Sequence, residues 1–196
     1  MKKIFLLRHG STTLTDRYVG VSDIELSENG IEEILAQVPY VARHSFPIIF
    51  CSPLRRCRQT REALGLHRDV IYDERIAEIN FGKWEGKTFS EIACSSPDLV
   101  EEWRCAGSSF CFPGGEKLAD FYERINDFAS SVHAAEAGKI LIISHGGVIR
   151  HLVCRFLNLS FDSYLYFKVE CGKFTILDLH SDGGILTGLN NGVIRV

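Results

Sequence analysis

Two apolar runs in this chain end in a histidine followed by glycine. Residues 4–7 (IFLL) lead into Arg8-His9-Gly10, and residues 140–143 (ILII) lead through Ser144 into His145-Gly146-Gly147. Short aliphatic runs without alternation read as strands buried on both faces, the kind found in parallel sheets covered by helices. In such sheets ligands sit beyond the carboxyl ends of the strands. Each histidine alone is an ordinary polar strand terminus. Two of them at two central strand ends, each with glycine allowing close backbone approach, point to one crevice lined by two imidazoles.

The rest of the chain fits that frame. The patterns predict strands over residues 3–8, 47–51, 70–73, 139–144, 165–169, 174–178 and 185–189. Ser27 reads as the cap of a helix carrying Ile31, Ile34, Leu35 and Val38. Ser52 reads as a second cap, with Pro53 in first helical position and Gly65 as the stop. Leu118, Phe121, Tyr122, Ile125, Phe128, Ala129 and Val132 recur at helical spacing, and 148–157 reads as a further helix. Strands alternating with helices predict an α/β fold, a three-layer α/β/α sandwich with a mostly parallel central sheet. The 196 residues suit one domain spanning 1–196. Within it the Gly-, Ser- and aromatic-rich stretch at about 77–116 is expected to be a loop-and-helix excursion covering the site.

A net charge of −3 offers no broad basic field, so neither nucleic acid nor a membrane surface is an expected partner. An anionic ligand would need a local basic pocket. The opening MKKIFLL imitates a signal peptide, but its apolar run is too short and charge follows at once. The seven cysteines are scattered with no C-x-x-C pair. Most read as small buried hydrophobes in a reduced cytoplasm, with a surface disulfide left open, and no metal site is expected. Self-association into a homodimer is left open.

A basic pocket is available at the start of the second predicted helix. Helix N-termini attract anions, and here the run Ser52-Pro53-Leu54-Arg55-Arg56-Cys57-Arg58 supplies three arginines. A solvated face is their default reading. Leu54, Cys57 and Leu64 mark the core side. At about 100° per residue Arg55 points nearly opposite them, whereas Arg56 lies on their flank and can reach a pocket. Glu78 precedes the compact turn Phe81-Gly82-Lys83-Trp84-Glu85-Gly86, which could hold its carboxyl against a cavity as a proton donor.

Together these stretches resemble the histidine phosphatase superfamily, with its phosphoglycerate mutase-like fold, over almost the whole chain. Arg8-His9-Gly10-Ser11-Thr12 is similar to the family's R-H-G-[EQ]-[ST] signature. Residues 23–30 (DIELSENG) resemble its D-x-x-L-[ST]-x-x-G turn. Residues 52–60 match S-x-x-x-R-x-x-x-T, residues 78–86 match E-x-x-[FY]-G-x-W-E-G, and Ser144-His145-Gly146-Gly147 matches the second histidine. The resemblance implies that His9 is a nucleophile forming a phosphohistidine. It implies that Arg8, Arg56 and His145 bind the phosphoryl oxygens and that Glu78 protonates the leaving oxygen. Nucleophilic histidine must be neutral, and neighbouring cations lower its pKa. With that much fixed positive charge no cofactor and no metal is expected.

Ancillary substrate contacts are expected from Gly10, Ser11, Thr12, Thr15, Gly20, Ser22 and Gly146. Thr15 stands where many members carry Asn, and Val19 stands where many carry Gln or Thr. The short hydroxyls of Ser11 and Thr12 either compensate or satisfy their own turn. No extended basic insertion separates Glu78 from His145, so a phosphatase is expected rather than a mutase. Residues 112–121 (FPGGEKLADF) resemble the F-P-G-G-E-S-x-x-D-F stretch of α-ribazole phosphatases and related small phosphatases, departing at Lys117. The expected partner is a small-molecule phosphomonoester, with α-ribazole 5′-phosphate, of cobalamin assembly, placed first. A broad sugar-phosphate or phosphoglycerate phosphatase, a mutase and a non-catalytic phospho-ligand module are the alternatives. Trp84, Trp103, Phe110 and Phe112 either lid the site or fill the core.

Overall fold

Strands that are apolar on both faces need a neighbour on each edge and a helical layer on each side. The computed structural model, which describes residues 1–67 and 69–193, supplies both. Its strands are β1 (Lys2–Arg8), β2 (Ile48–Cys51), β3 (Ile71–Tyr72), β4 (Lys139–Ser144), β5 (Phe174–His180) and β6 (Gly183–Asn191). Its helices are α1 (Glu28–Leu35), α2 (Val38–Val41), α3 (Arg55–Ala63), α4 (Phe89–Ser95), α5 (Pro97–Ala106), α6 (Leu118–Ala134) and α7 (Gly146–Phe156). One six-stranded sheet has the order β3-β2-β4-β1-β5-β6. The first four of these are parallel, and β5 and β6 extend the sheet antiparallel.

β1 and β4 are adjacent and in register, from Lys3 opposite Lys139 to Arg8 opposite Ser144. Their alternating side chains feed two cores. Ile4, Leu6, Ile140 and Ile142 join the apolar faces of α6 and α7 on one side. Phe5, Leu7, Leu141 and Ile143 join Ile34 of α1 and Cys57 of α3 on the other. This is the expected sandwich. Between β3 and α6 the chain leaves the sheet through α4 and α5, with Thr88 and Glu91 forming a reciprocal capping box at the start of α4. No helix among the described residues is long and apolar enough to cross a membrane.

Three local expectations need correction. No strand forms over 165–169; the chain instead makes a 3₁₀ helix, Phe161–Tyr166. The segment packs Phe161 on Tyr122 of α6 and Tyr164 on His151 of α7, while Leu165 and Tyr166 stay exposed. Ser52 does not cap α3, which begins at Arg55. Its cap position is Leu54, and the Arg55 N–H is taken by Asp23 Oδ1 at 2.6 Å. Finally, α7 begins at Gly146, directly after His145, so the second histidine is itself the cap residue.

Candidate active site

The register of β1 and β4 brings their two histidines together. The His9 N–H donates to the Ser144 carbonyl at 3.0 Å, and the two imidazole centroids lie 5.1 Å apart, edge to face. His9 Nδ1 is 2.7 Å from the Gly10 carbonyl. A carbonyl only accepts, so this nitrogen carries the proton and Nε2 keeps its lone pair. Burial first, then Arg56 and Arg8, hold the His9 pKa well below 6.5, against the opposing pull of the Gly10 carbonyl. Neighbouring charge was the expected cause, and desolvation exceeds it.

Arg56 is fully buried. Its Nε donates to His145 Nδ1 at 3.1 Å, and its Nη atoms donate to the Ser22 and Gly20 carbonyls at 2.9 and 2.7 Å. With Nδ1 accepting, His145 Nε2 donates to Ser52 Oγ at 2.7 Å. Burial, then Arg56, His9 and Arg8, also lower the His145 pKa well below 6.5. Arg8 Nη1 donates to the Val169 carbonyl at 2.7 Å, while its buried Nε has no partner. Arg55 faces outward and pairs with Glu25.

Glu78 is buried and lies across the N-terminus of α7, where its Oε2 accepts from the Gly147 N–H at 2.9 Å. The glycine pair has a steric reason. A Cβ on Gly147 would lie 2.4 Å from Glu78 Oε1, and one on Gly146 would lie 3.3 Å from the Arg8 guanidinium carbon.

The ancillary residues divide. Ser11 gives its N–H and its hydroxyl to Glu33, and the Thr12 hydroxyl donates to the Leu14 carbonyl, so both hydroxyls satisfy local structure. Gly20 and Ser22 offer carbonyls to Arg56 and lie outside the cavity lining, as does Gly10, whose N–H goes to Thr60 Oγ1. Ser11, Thr12, Thr15 and Gly146 line the cavity. Two supports escaped the sequence reading. Glu85 accepts from the Gly20 and Val21 N–H groups and from the Ser22 hydroxyl, clamping the loop that holds Arg56. Arg124 donates to the Ala77 and Glu78 carbonyls while pairing with Glu116, which fixes the backbone under Glu78. Both glutamates lay inside quoted motifs, and that placement was the available signal.

Arg8, His9 and Glu78 line a cavity of about 640 Å³, whereas Arg56 and His145 are fully buried and lie outside its lining. Its outer wall includes Tyr18, Phe81, Trp103, Phe112 and Tyr164. Trp103 and Phe112 thus face the space, whereas Trp84 and Phe110 are buried behind them in the core.

The sequence matches the family model of the histidine phosphatase superfamily, branch 1, over residues 4–192. A bifunctional protein of Mycobacterium tuberculosis is 30% identical over 195 residues, which cover 96% of this chain and 53% of that one. The chain therefore spans about half the length of that relative. Phosphoserine phosphatase 1 of Hydrogenobacter thermophilus is 27% identical over 97% of this chain and 92% of its own. The solved structure of the α-ribazole phosphatase from Shigella flexneri superposes with a TM-score of 0.88 at 26% identity, covering 99% of this chain and 98% of that one.

Proposed function

Because this chain belongs to the histidine phosphatase superfamily, branch 1, we propose that it hydrolyses small-molecule phosphomonoesters through a phosphohistidine on His9. The observation that carries the reading is the state of His9: a buried, neutral imidazole whose Nδ1 proton is committed to a carbonyl, leaving the Nε2 lone pair for attack. In the first step Nε2 bonds to phosphorus as the P–O bond to the leaving group breaks, and Glu78 gives its proton to the departing oxygen. In the second, water attacks phosphorus, Glu78 takes a water proton, and the P–N bond breaks to release phosphate. Arg8 and Arg56 supply fixed positive charge to the phosphoryl oxygens throughout, and His145, a neutral imidazole, supplies hydrogen bonding. That charge takes the place of a metal ion. Activity is expected to survive EDTA treatment, and a loss restored only by added divalent cation would refute this part of the reading.

For the substrate we place α-ribazole 5′-phosphate first. Its support is the aromatic-walled cavity, large enough for a ring-bearing leaving group, together with the 112–121 stretch and the likeness to the Shigella enzyme. Only Cys51, Cys57 and Cys154 are buried, against the expectation that most would be, but all seven cysteines are free thiols, which supports a reducing compartment. A screen of α-ribazole 5′-phosphate, phosphoserine, phosphoglycerates, sugar phosphates and nucleotides, ranked by kcat/KM, tests the choice. A lead for phosphoserine or a phosphoglycerate would replace the substrate but keep the class. Conversion of 3-phosphoglycerate to 2-phosphoglycerate without free phosphate would make the protein a mutase. Full activity in His9→Ala would sink the mechanism.

A further inference from the structure

The mechanism leaves one buried polar atom of the cavity wall unused. His151 lines the cavity and is only 3% exposed. Its Nδ1 is 2.8 Å from the Gly147 carbonyl, so Nδ1 carries the proton. Nε2 is therefore a lone-pair acceptor, and it is buried with no hydrogen-bond partner. A buried acceptor left unmatched is costly, and one at a cavity wall is a recognition group awaiting a donor. Burial lowers the His151 pKa to about 4, which keeps that acceptor available at neutral pH.

Its surroundings define what such a donor is attached to. The imidazole stacks on Tyr164 with centroids 4.5 Å apart, meets Phe121 edge-on at 5.2 Å, and lies 4.9 Å from Tyr122. Tyr122 in turn stacks face to face on Phe161. Flat apolar faces around a lone acceptor suit a planar ring carrying a hydroxyl or N–H group. The backbone fixes where that ring must be. The Gly147 N–H holds Glu78 and the Gly147 carbonyl holds His151. The acceptor and the proton donor to the leaving oxygen thus hang from a single residue, on the leaving-group side of the site.

We propose that His151 is the specificity-determining residue of the leaving-group pocket, its Nε2 accepting a hydrogen bond from a hydroxyl or N–H group on a ring-bearing alcohol. This rests on the phosphatase reading for the word "leaving", but binding alone can test it. The probes are the 2-, 3- and 4-hydroxyphenyl phosphates and their methyl ethers, which match in size and differ in the donor. Calorimetric titration into His9→Ala protein reads affinity without turnover. At least one hydroxyphenyl phosphate is expected to bind about tenfold more tightly than its ether. In His9→Ala/His151→Leu that ratio falls to about one, and in His9→Ala/His151→Gln, which keeps an acceptor, part of it returns. Because the readout is a ratio on one protein preparation, a general loss of folded protein cancels. Equal affinities for every pair in the His151-containing protein, or a ratio that survives His151→Leu, would overturn the proposal. Failure of the otherwise unaltered protein to hydrolyse any phosphomonoester would instead overturn the phosphatase reading, while the binding ratio would still judge His151.

Discussion

A methyl group at position 147 would fall 2.4 Å from Glu78 Oε1, well inside any tolerated contact. Gly147→Ala is therefore expected to displace the carboxyl group while leaving Arg8, Arg56 and His145 in place. The expected outcome is a fall in kcat of about 100-fold or more, the scale of a lost general acid, with orthovanadate affinity changed by less than about threefold. Affinity falling in step with kcat would show that the glycine serves phosphate binding instead. The three buried histidines give a second residue-level prediction. His9, His145 and His151 all have pKa values below the ordinary 6.5 in the folded state. As pH falls through 6.5 the unfolded chain takes up protons first. Stability is thus complete above pH 6.5 and is lost below it, His151 alone accounting for about 3 kcal/mol by pH 4. Urea unfolding followed from pH 7.5 to 4.5 should show this slope, and His151→Leu should make it shallower. For the same reason, any acid limb of kcat/KM due to His9 should lie below pH 6.5.

At the level of elements, the strand ends do the placing and the loops do the holding. The residues of the proposed phosphate site were legible because each stands at a fixed offset from a strong local signal: His9 and His145 after apolar runs, Arg56 on the flank of a helix whose core side Leu54 and Cys57 mark. Their supports were not legible, because Glu85 and Arg124 act on backbone groups brought near only by the fold. The misread strand at 165–169 has the same origin. The 3₁₀ helix Phe161–Tyr166 is taken up by α6 and α7 instead, Phe161 stacking on Tyr122 and Tyr164 on His151, contacts that only the fold brings about. Glu85 offers a test of the holding role. Glu85→Ala releases the Gly20–Ser22 carbonyls that fix the Arg56 guanidinium. Orthovanadate affinity is expected to weaken about tenfold or more, with kcat less affected. Unchanged affinity would mean that the loop holds itself.

For the molecule as a whole, a net charge of −3 surrounds a cavity lined by Arg8, with the Arg56 guanidinium buried beside His9 and His145. Attraction of a phosphate dianion is therefore local and falls off within a Debye length of the cavity mouth. The parallel pairing of β1 with β4 has a further consequence, for how the protein comes to be active. Lys3 finds Lys139, and Arg8 finds Ser144, across most of the chain, and the loop between them must be ordered before the pairing is rewarded. In a chain emerging from the ribosome His9 appears well before His145, yet no constellation exists until α7 has followed. On the proposed reading catalysis is thus a late event of maturation: in refolding from urea, activity should return no earlier than burial of Trp84 reports, and a nascent chain stalled before β4 should be chemically silent.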